Sequence, residues 1–216
     1  MDTELSRNYS GLRYIVHLSA PGLDVAGAGQ PYLPGISTGH NRHVSFGFTV
    51  FQIDQEDLYA YHLNPQDPDQ YRYGDDWEAM RLVEDEILAC GRKPAKVVHR
   101  FTRHGPVIHI DPARHKAYAL RTVLLEPGAA PYLASLAYLE AADWEQFRDA
   151  LRRWHAPSLS FVGADTAGNI GWSTSGLAPV RPNWDGLLPV PGDGRYEWDG
   201  FLDPGELPAE TNPARG

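Results

Sequence analysis

The chain has one cysteine, Cys90, in 216 residues. No internal disulfide framework can form, and the paired thiols of a cysteine-rich zinc site are missing. Cys90 precedes Gly91 in a predicted loop, where an incidental thiol is expected rather than a nucleophile. Basic residues are also scarce: 19 Lys and Arg stand against 28 Asp and Glu, a formal net charge of −9. That balance argues against nucleic-acid or anionic-membrane partners, which are bound through basic patches that displace counterions. No apolar run approaches the roughly 20 residues of a membrane-spanning helix, which predicts a soluble chain. The acidic start Met1-Asp2-Thr3-Glu4 lacks the basic-then-apolar order of a secretory signal, so the sequence is silent on localisation. A Gly-x-Ser-x-Gly nucleophile elbow is absent as well, leaving no positive support for a Ser–His–Asp triad.

What the chain does contain favours strands and loops: 21 Gly, 18 Pro, 11 Tyr and 6 Trp, a composition unlike that of a helical bundle. Residues 1–12 are polar and aperiodic and are expected to be a poorly ordered lead to one domain over 13–216. Strands are predicted at Arg13–Leu18, Val44–Phe51, Leu58–Leu63, Leu82–Leu88, Val97–Thr102, Val107–Ile110 and Ala117–Thr122. The acidic alternation within 82–88 suits an edge or partly solvated strand. Pro131–Glu140, rich in Ala and Leu, predicts a helix. Asp143 is a fitting N-cap for a second, in which Trp144, Phe147, Leu151 and Trp154 share one face and which Pro157 ends. Phe161–Ala164 and Ile170–Ser173 then form a hairpin around Asp165-Thr166-Ala167-Gly168-Asn169. From Ala178 onward Pro and Gly predict irregular structure. Strands, two adjacent helices, then strands is an α+β order.

Several clusters invite a chemical reading. Asp54, Glu56 and Asp57 put three acids within four residues beside a strand end. Hard oxygen donors close together suit calcium, and a solvated acidic loop explains them too. Nine histidines raise zinc, but His40 and His43 sit on a turn-to-strand segment that aims them apart. His99, His104, His109 and His115 are scattered over separate strands and turns. Structural or surface roles are expected for them rather than metal ligation, His40-Asn41 securing its turn through side-chain to backbone bonds. Trp172, Trp184 and Trp198 suit an acyl pocket, with burial against the core the plainer role.

Three blocks recur in a recognisable order: Gly39-His40-Asn41-Arg42-His43-Val44-Ser45-Phe46-Gly47 with Asp54-Gln55-Glu56-Asp57; Ala164-Asp165-Thr166-Ala167-Gly168-Asn169-Ile170-Gly171; and Asp185-Gly186-Leu187-Leu188-Pro189-Val190-Pro191-Gly192. Together they resemble an internal part of the large (β) subunit of the penicillin acylase family, over roughly Arg13 to Asn212. The resemblance implies a partial αββα sandwich of the N-terminal nucleophile hydrolase type. It also implies hydrolysis of linear amides by an N-terminal serine whose own α-amine is the base. That serine, the small subunit and the rest of the large subunit are expected to lie outside this chain.

Carried over residue by residue, the family's backbone oxyanion donor aligns with Val50 and its oxyanion asparagine with Ser160, a departure to a shorter donor. Its active-site arginine aligns with Arg181, for which a surface loop is the alternative. Asp54 and Asp57 match a pair that binds structural calcium, and Glu56 a carbonyl ligand; with other ligands elsewhere, calcium binding by this chain alone is expected to be weak or absent. Candidate substrates are N-acyl amines, β-lactam side chains and acyl homoserine lactones. The alternatives are a non-catalytic scaffold that binds an acyl ligand or partner subunit, and a split enzyme. Family members are usually periplasmic or extracellular.

Overall fold

A computed structural model describes residues 13–30, 34–130 and 132–215. The expected lead over 1–12 and the first residue of the predicted 131–140 helix lie outside these. The expected single domain divides into two compact units. Unit one comprises Met1–Ile53, Glu126–Ala178 and Phe201–Gly216; unit two comprises Asp54–Leu125 and Pro179–Gly200.

Unit one is an antiparallel sheet with helices on one face. Its strands are β1 (Tyr14–Ala20), β2 (Leu23–Gly29), β3 (Thr38–His40), β4 (Val44–Val50), β12 (Leu159–Asp165), β13 (Ile170–Ser175) and β15 (Ala209–Thr211), and that is also their spatial order. Helix α1 (Tyr132–Ala137) continues as a 3₁₀ turn over Tyr138–Glu140, and α2 spans Trp144–Leu151. Asp143 caps α2 as expected, its side chain accepting the N–H of Gln146. The helix stops at Leu151, short of the predicted end at Pro157. Trp144, Phe147 and Leu151 face the core from α2, while Trp154 enters it from the turn beyond.

These residues meet Val44, Phe46, Leu159 and Phe161 from the central strands. Alternation along a strand puts even-numbered residues of β4 and odd-numbered residues of β12 on the helix side. Fully burying one such large side chain stabilises the fold by about 1.5–3 kcal/mol. The Gly39-His40-Asn41 turn is tied down by its asparagine. Asn41 Oδ1 accepts the N–H groups of His43 (2.8 Å) and Val44 (2.7 Å), and Nδ2 donates to the carbonyls of Leu139 (2.9 Å) and Ala141 (2.8 Å). One amide thus closes its own turn and captures the end of the α1 segment.

Unit two is a second sheet. Its main path runs β7 (Asp76–Ala79), β6 (Asp67–Tyr73), β5 (Glu56–Asn64), β11 (Lys116–Thr122), β10 (Gly105–Asp111), β9 (Ala95–Thr102), β8 (Arg81–Ile87). The predicted partly solvated strand is β8, last in that order and mostly exposed. A short strand β14 (Val190–Pro191) adds parallel to β5 at Tyr59 and Ala60. The tail predicted as irregular therefore contains two short strands, β14 and β15. Tyr59, Tyr61, Leu63, Tyr71, Met80, Ala117 and Ala119 form the core of unit two.

Candidate functional site

In unit one the two residues aligned with oxyanion donors lie on neighbouring strands. Leu159 of β12 stands opposite Val50 of β4, and Ser160 opposite Thr49. The N–H of Phe51 donates to the carbonyl of Ser158 at 3.3 Å. Antiparallel pairs alternate between bonded and non-bonded, so the Val50–Leu159 pair is non-bonded and the Val50 N–H turns away from β12. On that side β3 pairs with β4 only at Ser45 and Phe46. The Val50 donor therefore points past the end of its neighbour.

Ser160 is 8% exposed. By alternation it lies on the sheet face away from the helices, because Leu159 and Phe161 fill the helix-side core. Its hydroxyl oxygen accepts the indole N–H of Trp172. An accepted bond from Trp172 occupies a lone pair and leaves the Ser160 O–H as the hydrogen to give away. Trp172 is thus engaged with Ser160 rather than buried in the helix-side core.

In unit two the acidic cluster and Arg181 come together. Along β5 the residues Asp57, Tyr59, Tyr61 and Leu63 are buried in alternation, so Asp57 occupies a core-facing position, not a loop corner. Its Oδ2 accepts Arg181 Nε at 2.8 Å and Trp198 Nε1 at 2.5 Å. Arg181 also donates through Nη2 to the Asp54 carbonyl at 3.1 Å, and the same nitrogen lies 3.3 Å from Asp54 Oδ2. With its side chain 11% exposed, Arg181 is no surface arginine.

Burial pushes the Asp57 carboxyl above the usual aspartate range, against the opposing pull of Arg181 and Trp198. Its second oxygen, Oδ1, is buried without a hydrogen-bond partner. Glu56 begins β5 with its side chain exposed and joins neither carboxylate. Among the described residues no three His, Cys, Asp or Glu side chains converge as a metal cage.

The third sequence block closes on this cluster. Gly186 has φ +79°, and a Cβ there would come within 2.6 Å of Asp54 Oδ2 and 2.8 Å of Arg181 Nε. Only glycine fits that backbone at that distance. Trp198 is 7% exposed, and Trp184 packs edge-on against Tyr59 at 6.0 Å. Trp198 is buried, and Trp184 is partly buried against the core of unit two.

His104, one of the histidines for which a structural or surface role is expected, is buried in the same unit. His104 stacks on Tyr59 with ring centroids 3.7 Å apart. Its Nε2 lies 2.9 and 2.8 Å from the two oxygens of Glu197, and its Nδ1 bonds the Tyr61 hydroxyl. Arg121 Nη1 donates to Glu197 Oε2 at 3.3 Å. Burial lowers the His104 pKa, outweighing the carboxylate beside it. A neutral ring with Nε2–H on Glu197 and Nδ1 accepting from Tyr61 satisfies every group. With its side chain 2% exposed, His104 cannot meet a substrate, and its role is structural. Desolvation likewise raises the Tyr59 hydroxyl to about 12.

Comparison with known proteins matches nearly the whole chain. A sequence profile described as "Penicillin amidase" matches residues 1–216. The acyl-homoserine lactone acylase QuiP of Pseudomonas aeruginosa is 32% identical over all of this chain and 27% of its own length. Penicillin G acylase of Escherichia coli is 31% identical over 93% of this chain and 23% of its own length. In structure, the thermostable penicillin G acylase of Alcaligenes faecalis matches with a TM-score of 0.89 and 30% identity, over 95% of this chain and 37% of that one. The α+β architecture is thus a partial αββα sandwich of the N-terminal nucleophile hydrolase type. The chain spans about a quarter of the length of the curated relatives it matches.

Proposed function

The chain belongs to the penicillin amidase family, and on that premise we propose that it forms part of an enzyme that hydrolyses linear amides. It would contribute the wall that holds the oxyanion, with the serine nucleophile supplied from outside residues 1–216. The observation that carries this reading is the β4–β12 register. It puts Val50 and Ser160 on neighbouring strands; the Val50 N–H, turned away from β12, and the Ser160 hydroxyl, which Trp172 leaves free to donate, would be the two donors.

In the proposed reaction the serine Oγ attacks the amide carbonyl carbon and its proton passes to the α-amine of the same residue. The tetrahedral oxyanion accepts the Val50 N–H and the Ser160 O–H. The C–N bond then breaks as the leaving nitrogen takes the proton, and water hydrolyses the acyl ester to release the acid. N-acyl homoserine lactones, penicillin side-chain amides and other N-acyl amines all fit this chemistry. A serine hydroxyl reaches less far than an asparagine amide; loss of one oxyanion donor costs on the order of a hundredfold or more in rate.

Arg181 acts at one remove in this scheme. Bound to Asp57 and Asp54, it would fix the loop of Asp185 and Gly186 rather than touch substrate. Calcium also remains a proposal: Asp57 Oδ1, buried and unpartnered, would be its firmest ligand, with Asp54 and the Glu56 carbonyl beside it. Both carboxylates are shared with Arg181, so binding by this chain alone should be weak. No step of the reaction depends on the ion.

The test is amine release from N-acyl homoserine lactones and N-acyl β-lactams by residues 1–216 together with the coding sequence on either side. Turnover by the assembled enzyme that falls in a Ser160→Ala variant supports the proposal. Full activity in that variant, or hydrolysis by residues 1–216 alone, refutes it.

A further inference from the structure

Unit one contains a cavity of about 120 Å³ where the C-terminal turn of α2 meets β13 and the segment 204–207. Its apolar walls include Leu151, Leu207 and Ala209, and Arg148 and Arg152 border it. Ser175 also lines it, 3% exposed, its Oγ buried and without a hydrogen-bond partner. The register explains why this hydroxyl points to the helix side. Ser175 stands opposite Leu159, a helix-side core residue, and cross-strand partners share a face. A buried hydroxyl left without a partner is destabilising. The cavity therefore presents an unused polar contact beside apolar walls.

The arginines supply the complementary charge. Arg148 and Arg152 are four residues apart on one side of the helix end. Arg148 lies 3.3 Å from Glu145, and Arg152 lies 3.2 Å from Asp149 and 3.9 Å from Asp203. Those carboxylates are 82%, 78% and 67% exposed. Exposed ion pairs of this kind are weak, so another anion can replace them at little cost. An apolar cavity of about 150 Å³ accepts benzene; this one has room for a smaller molecule.

We infer that this cavity binds a short-chain carboxylate of two to four carbons. Its alkyl part would lie against Leu151, Leu207 and Ala209, and its carboxylate would accept the Ser175 O–H and the Arg152 guanidinium. Phosphate offers those walls no apolar side, and a neutral amide gains no charge attraction from Arg152 and cannot replace its carboxylate partners. The cavity lies on the helix side of the sheet, whereas Ser160 lies on the other face, so this inference is independent of the proposed amide hydrolysis.

Isotope-labelled residues 1–216 should be titrated with propionate, propionamide and phosphate at matched ionic strength, following backbone amide signals by NMR. Propionate should move the Ser175, Gly176 and Arg152 signals saturably, and the other two should not. Arg152→Gln and Ser175→Ala should each weaken propionate about tenfold, the loss of one hydrogen bond to a charged group. Arg153→Gln, at an exposed neighbouring position, should leave it unchanged. Non-saturating behaviour, an equal response to propionamide or phosphate, or unaltered affinity in Arg152→Gln would overturn the inference. Arg152 is half exposed, so its variant tests the site even if Ser175→Ala fails to fold.

Discussion

Gly163 stands directly opposite Gly171 across β12 and β13, and the indole of Trp144 lies over both. A Cβ on Gly163 would come within 2.7 Å of Trp144 Cζ3, and one on Gly171 would overlap the indole Nε1 and Cε2. The two glycines form a floor for a side chain that is 1% exposed and donates from Nε1 to Thr211 Oγ1 at 3.0 Å. Gly171→Ala should destabilise unit one by about 1–3 kcal/mol, the usual range for overpacking. Adding Trp144→Phe should recover part of that loss. The check is a double-mutant cycle of urea midpoints, in which strictly additive effects would contradict the contact.

Arg181 is the counter-charge that lets Asp57 occupy a core-facing strand position. Arg181→Met should cost about 3–5 kcal/mol, because it leaves a buried carboxylate uncompensated. The double variant Arg181→Met with Asp57→Asn should be more stable than Arg181→Met alone. Chemical denaturation followed by Trp198 fluorescence measures both.

His104 makes stability depend on pH in one direction. Its native pKa lies below the unfolded value of 6.5, so the unfolded chain binds the extra proton more readily. Its contribution is complete above about pH 6.5 and is lost as pH falls below that value towards the native pKa. Tyr59, Tyr61, Glu197, Arg103 and Arg121 are the titratable groups around it. His104→Gln should flatten the stability profile below pH 6.5, measured as unfolding midpoints across a buffer series. An unchanged slope would assign that dependence to other groups.

Asn41→Ala removes four hydrogen bonds at once and should cost about 2–4 kcal/mol. Asn41→Asp keeps the acceptor for His43 and Val44 but loses the donors to Leu139 and Ala141, so its melting temperature should fall between the two.

The strands that sequence reading found share a physical trait. Val44–Val50 and Lys116–Thr122 carry β-branched and aromatic residues in the alternation a half-buried strand needs. Strand β2, Leu-Asp-Val-Ala-Gly-Ala-Gly, and strand β6, Asp-Pro-Asp-Gln-Tyr-Arg-Tyr, lack it. They are strands because neighbours pair with them, a tertiary effect that overrides local preference. The helices were legible in kind but not in length. Asp143 announced the start of α2, while its end at Leu151 was set by the turn that returns Trp154 to the core.

The acidic cluster was visible as composition only. The alternation Asp57, Tyr59, Tyr61, Leu63 carried a signal that Asp57 faces inward. Its partner Arg181 is 124 residues away, and no local pattern connects them. The His104–Glu197 pair, 93 residues apart, was hidden for the same reason.

Unit one is assembled from three separate stretches of chain, with unit two encoded between them. On the ribosome, the β12 edge of β4 emerges roughly a hundred residues before the strand that covers it. At about 5–20 residues per second that is roughly 5–20 s of waiting. During this interval Phe46 and Phe48 have neither their partner strand nor the aromatic side chains of α2. Unit two also waits, for Arg181 and β14 to reach β5, but it needs nothing beyond Gly200. The order of synthesis therefore leaves the sheet that carries Val50 and Ser160 as the last part to close, and its half-finished edge as the point at which nascent chains are most exposed to mispairing.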